Sequence, residues 1–157
     1  MKQVYRVFAF LVAAAVMFQA ASIAFAMFSF FHWIEGGGSI DQSTELGPAI
    51  GGHFGFVAHA LAGIIVVPAL ALLFLISSFF AKVPGGVKWA LIVFGLTVLQ
   101  VALGIFAREA LSGLGWLHGI NAALVFAAAV MAGIRAKRAT AEQKTEAEAE
   151  LSAASVA

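Results

Sequence analysis

The chain has no cysteine, which excludes disulfides, thiolate metal sites and cysteine nucleophiles. Charge is scarce, at 11% of residues, and none falls inside the four long apolar stretches, so a transporter or channel pathway lined by ionised groups is absent. There is no nucleotide-binding loop, nucleophile triad or carboxylate pair, so the sequence offers no catalytic constellation, and nothing in it suits nucleic acid. The net charge of +1 says little about partners. What the chain has is apolar surface: 62% hydrophobic residues and a mean hydropathy of +1.01 predict a small integral membrane protein of one domain, in contact with a lipid bilayer.

The apolar runs predict an all-α, up-down-up-down bundle with spans at about 7–33, 51–81, 88–108 and 114–134, and a domain covering 1–138. The first span follows Lys2 and Arg6 and resembles a signal peptide as far as Ala24-Phe25-Ala26. Its apolar run continues through Met27 to Phe31, too long for an ordinary signal core and right for a span, so it is read as retained. Gln19, Ser22, Ala26 and Ser29 give it a small, weakly polar face for helix packing. Ile34 to Ile50, with Gly36-Gly37-Gly38, Asp41, Glu45 and Pro48, reads as a loop. Pro68 predicts a kink in the second span, and Val83-Pro84-Gly85-Gly86 a tight turn that makes spans two and three antiparallel neighbours. After Arg138 the Ala/Glu-rich segment 139–157 reads as a solvated, disordered tail or frayed helix.

Lys2, Arg6, Lys82, Lys88, Arg135, Lys137, Arg138 and Lys144 fall on one side of these spans and only Arg108 on the other. The positive-inside rule then puts both termini in the cytoplasm, with the chain a multi-pass protein of a bacterial inner (plasma) membrane. Trp33 and Trp116 would mark the outer aromatic belt and Trp89 the inner one.

Against this apolar background two histidines stand out. His59 lies about 10 Å inside the second span, with Gly55 and Gly63 one turn away on either side. His118 lies four residues inside the fourth, with Gly115 at i−3 and Asn121 and Ala122 beyond it. Both spans run inward from the outer side, so the two imidazoles share one depth and face each other across the bundle diagonal. That arrangement is what a bis-histidine b-type haem requires, with Gly55, Gly63 and Gly115 leaving room for a flat macrocycle and Arg108 placed to pair with a propionate. A His/Met pair using Met27 is a variant of the same site. His32 and His53 sit at the wet boundary. The competing reading makes His59 and His118 interhelical hydrogen-bonders, with Gln19, Gln100 or Asn121 as partners, in a cofactor-free accessory or scaffold subunit. The haem reading implies electron transfer or haem handling with a redox or respiratory partner in the same membrane.

Leu99-Gln100-Val101-Ala102-Leu103-Gly104, then Arg108, then Leu117-His118 opening the next span, resembles the paired helices in each half of haem A synthase, and Gly55 to Gly63 around His59 is similar to its matching histidine helix. The resemblance covers about 130 residues, one half of such an enzyme. It implies a four-helix bundle whose second and fourth helices carry the haem-ligating histidines, here His59 and His118, near the outer face. Phe56 stands where the catalytic half of that family has a Glu, Ala60 replaces the following Arg, and the outer loop lacks a cysteine pair. The likeness therefore does not extend to the family's oxidative chemistry. Leu117-His118-Gly119-Ile120-Asn121-Ala122 also resembles a signature of small, uncharacterised bacterial four-helix membrane proteins, which supports the fold without implying an activity.

Overall fold

The computed structural model describes residues 1–41, 44 and 47–156; Glu45 of the expected loop lies outside them. Four helices are long and apolar enough to cross a membrane, as the hydropathy pattern requires. They are α1 (Lys2–Glu35), α2 (His53–Ala81), α3 (Gly86–Glu109) and α4 (Leu114–Val156). No strand occurs among the described residues. The helices form a ring in which each packs on its neighbours in sequence and α1 closes on α4, so α2 and α4 are diagonal partners.

The ends of these helices follow from residues that cannot continue them. Between α2 and α3 the backbone reverses through Lys82 at φ 50° and Gly85 at φ 68°, left-handed conformations that stop one helix and release the next. Gly52 is left-handed at φ 81° where it starts α2, and a Cβ there would lie 2.1 Å from the carbonyl oxygen of Ala26. Gly55 approaches α1 almost as closely, its notional Cβ lying 2.7 Å from Ser22 O. Glycine thus lets α1 and α2 pack backbone to backbone, in the manner of small-residue interfaces in lipid.

Pro68 shapes α2 as expected of a residue without a backbone donor, but the distortion takes a specific form. Ala62–Val66 is a π-helical segment directly before the proline, and Val67 N–H bonds to Ala62 O. The wider turn passes over the site where the proline ring would crowd an α-helix. The segment after Arg138, expected as a solvated tail or frayed helix, instead continues α4 as helix to Val156. Its Ala, Glu and Lys residues all favour helix, no glycine or proline follows Gly133, and Lys144 pairs with Glu148 one turn on at 3.6 Å.

Packing is uneven along the bundle. At the end holding Tyr5, a closed core unites Tyr5, Val12, Phe74, Val93, Val125 and Ala132. Tyr5 packs against Phe74 with ring centroids 4.6 Å apart and planes inclined at 50°, and its hydroxyl donates to Gly86 O at 3.1 Å. Toward the opposite end α1 and α2 stay joined through Ser22, Ala26 and Gly55, whereas in α3 and α4 no residue from 98 to 120 is buried. The change from closed to open occurs at the level of Thr97 and Asn121, both buried.

Candidate functional site

His59 and His118 meet across the diagonal at that level, with ring centroids 6.2 Å apart and planes inclined at 63°. Each is held by the helix that precedes its own. His59 Nδ1 lies 3.1 Å from the backbone oxygen of Gln19 on α1, and His118 Nδ1 lies 3.1 Å from the backbone oxygen of Gln100 on α3. A carbonyl can only accept, so each contact calls for an Nδ1–H donor and leaves a lone pair on Nε2. The two hairpins, α1–α2 and α3–α4, therefore use one device twice.

The glutamine side chains complete the arrangement by different routes. Gln100 Oε1 accepts from Asn121 Nδ2 at 2.7 Å, and the same amide group donates to Leu96 O at 2.9 Å. This ties the turn after His118 to α3. Gln19, with its amide nitrogen turned toward His59, donates to His59 O at 2.8 Å while its oxygen accepts Gly63 N–H at 3.0 Å. His59 O and Gly63 N–H are the pair that an uninterrupted α-helix joins directly, so Gln19 spans them where α2 widens into its π segment. The same nitrogen lies 3.0 Å from His59 Nδ1, so a bare Nδ1 would have a donor as well. His59 thus has a partner on its Nδ1 side in either tautomer, and His118 only with the proton on Nδ1.

The glycines divide by role. Gly55 is filled by α1, Gly63 receives the Gln19 side chain, whose amide nitrogen in this orientation would lie 3.1 Å from an added Cβ, and Gly115 meets nothing within 4 Å. Of the three, Gly115 alone opens onto free space. A fourth, Gly104, seats the second histidine: a Cβ there would be 3.0 Å from His118 Cε1. Arg108 stands one turn beyond Gly104, exposed, on the open side of the site. Met27, expected near the depth of His59, is elsewhere. Gln19 marks that depth on α1, and Met27 is eight residues further along, about 12 Å by helical rise, which removes it as an alternative ligand. His32 is exposed, and His53 lines a shallow surface groove with Trp33 and Pro48 at the N-terminal end of α2. Neither joins the histidine pair.

The spacing and donor set fit a metal held between two imidazoles. Two bonds of about 2 Å and about 1.1 Å from each nitrogen to its ring centre put the centroids roughly 6 Å apart. Nδ1–H donation to a carbonyl is the outer contact that fixes ligating imidazoles and raises their basicity. Among the described residues no group of three or more His, Cys, Asp or Glu side chains could hold a metal ion. Comparison with protein-family models, with curated proteins and with solved structures found no match to this chain.

Proposed function

We propose that the chain is a multi-pass protein of a bacterial inner membrane that binds b-type haem between α2 and α4 through His59 and His118, for electron transfer or haem handling. The observation that carries this reading is the paired Nδ1 contact with Gln19 O and Gln100 O, which in the tautomer with the proton on Nδ1 leaves a lone pair on each Nε2 of two rings 6.2 Å apart. The loose packing of residues 98 to 120 supports it, since a macrocycle needs room between hairpins that the closed half of the bundle does not offer. Haem so ligated supplies reversible one-electron transfer. The protein's part is to orient the two imidazoles, exclude water from below through Thr97, Asn121 and Val125, and offer Arg108 to a propionate on the open side. The excess of Lys and Arg at the Tyr5 end supports cytoplasmic termini.

A cofactor-free accessory subunit is the second reading. It is favoured by the fact that no buried side-chain polar atom among the described residues lacks a partner, and by a ring separation that also suits an edge contact between aromatics. Absorption spectroscopy separates the two. Protein purified in mild detergent is expected to show a Soret band and sharp α and β bands on reduction. These should disappear in His59→Ala and in His118→Ala but persist in His32→Ala and His53→Ala. Colourless protein from haem-replete cells would leave the accessory reading.

A further inference from the structure

Far from the histidines, at the opposite end of the bundle, an open groove of about 560 Å³ runs between α1 and α4. Its wall is Val7, Phe10, Leu11 and Ala14, an i, i+3, i+4, i+7 stripe on α1, and its charged rim is Arg6 and Lys137. Phe10 lies against Gly133 so closely that a Cβ there would be 2.8 Å from the ring. The helices are antiparallel at this contact, so Arg6, four residues before Phe10, faces Lys137, four residues after Gly133. Two cations thus share one level, one turn beyond the aromatic floor, and neither forms an ion pair among the described residues. Arg135, their neighbour on α4, is committed differently, over the Trp89 ring at 5.8 Å.

We infer that this groove is a binding site for an anionic phospholipid, its phosphate held between Arg6 and Lys137 and an acyl chain laid along Val7, Phe10, Leu11 and Ala14. Charge complementarity selects the occupant. Arg offers a fork of donors and Lys a mobile ammonium to phosphate oxygens, and the apolar stripe leads away from them along the helix, as a chain leads from its headgroup. Long basic side chains at helix ends also reach for the interface without binding anything, and Lys82 and Lys88 at the same end, outside the groove, serve as the control for that behaviour.

The test is lipid retention by the full chain, extracted in mild detergent from vesicles of equal phosphatidylglycerol and phosphatidylethanolamine and read by native mass spectrometry. Wild-type protein should retain phosphatidylglycerol at least fivefold over phosphatidylethanolamine. The R6Q/K137Q variant should fall to near parity, and K82Q/K88Q should match wild type. A14W, which fills the groove and keeps both cations, should also fall to near parity with unchanged helical circular dichroism, and it decides the matter if R6Q/K137Q does not insert. Absence of enrichment in wild type, equal loss in the two double variants, or wild-type retention by A14W would overturn the site.

Discussion

Gln19 on α1 reaches Gly63 on α2 across a 3.0 Å hydrogen bond and, through its amide nitrogen, His59 O at 2.8 Å, so a side chain from one helix stands in the backbone ladder of the next. The register of His59 depends on it. Gln19→Leu keeps the volume but strands a backbone donor and acceptor where water is scarce, at a cost of about 1 kcal/mol by analogy with interhelical hydrogen bonds in membranes. The stranded groups should draw α2 back toward regular α-helix and turn His59 away from His118. The expected readout is lower haem content per protein and broadened α and β bands, measured by pyridine haemochrome and reduced spectra. Wild-type spectra in Gln19→Leu would show that α2 holds His59 unaided.

Gly104 makes the matching contact at the other histidine. In Gly104→Ala the new methyl would sit 3.0 Å from His118 Cε1 and press the ring away from Gln100 O, so on the proposed ligation the variant should retain less haem than wild type. Gly95, two and a half turns earlier on α3, provides the contrast. An added Cβ there meets nothing, and Ala is favoured over Gly in a helix by about 1 kcal/mol, so Gly95→Ala should be neutral or stabilising in thermal unfolding. Equal effects of the two substitutions would mean that the ring is not seated on Gly104.

Much of this architecture could be read from hydropathy alone, because a helix in lipid is set by the length of its apolar run and the bundle order by short connections. The four spans, their diagonal pairing and the convergence of His59 with His118 all rest on that coarse rule. What holds the imidazoles could not be read in the same way. The acceptors are backbone oxygens of Gln19 and Gln100, and any residue could have supplied them; the glutamines stand out only as polar side chains inside spans. The depth of Met27 was misjudged because spans count from uncertain ends, whereas Gly52 and Gly55 fix the α1–α2 register by close approach to Ala26 and Ser22. For 139–156 both a solvated tail and a frayed helix stayed open, because Ala and Glu are common to solvated tails and to exposed helices alike.

Tyr5 tests the closed half of the bundle independently of any cofactor. Its hydroxyl donates to Gly86 O at the start of α3, and its ring packs on Phe74 of α2, so one side chain joins three helices. Tyr5→Phe preserves the ring contact and leaves the Gly86 carbonyl short of a partner, which should cost about 1 kcal/mol. Unfolding in mixed micelles should detect the loss, while the haem spectrum should stay unchanged because the histidines lie at the other end of the core.

The sidedness proposed from the charge count can be read by fusion. Gly37 is exposed at φ 96° with no atom within 4 Å of a notional Cβ, so an insertion there should leave the helices intact. A reporter at Gly37 should register outside the cytoplasm, and one after Ala157 should register inside it. The same side for both would mean that the first helix does not cross or that the span count is wrong.

Arg108 is the only Lys or Arg at the open end of the bundle, one turn past the glycine that seats His118. A cation kept there without a carboxylate partner among the described residues is well placed to meet a propionate leaving the site toward the surface. Arg108→Ala should therefore weaken haem retention on dilution by roughly tenfold, the order of one charge-assisted hydrogen bond at 1.5 to 3 kcal/mol discounted for exposure. Arg108→Lys should recover part of it, since the charge remains and only the fork geometry is lost. The α-band position should hardly move in either variant, because both axial imidazoles are untouched. If Arg108→Ala instead shifts the α band while haem dissociates at the wild-type rate, the arginine acts on the ligand helices and not on a propionate, and the pairing assigned to it is wrong.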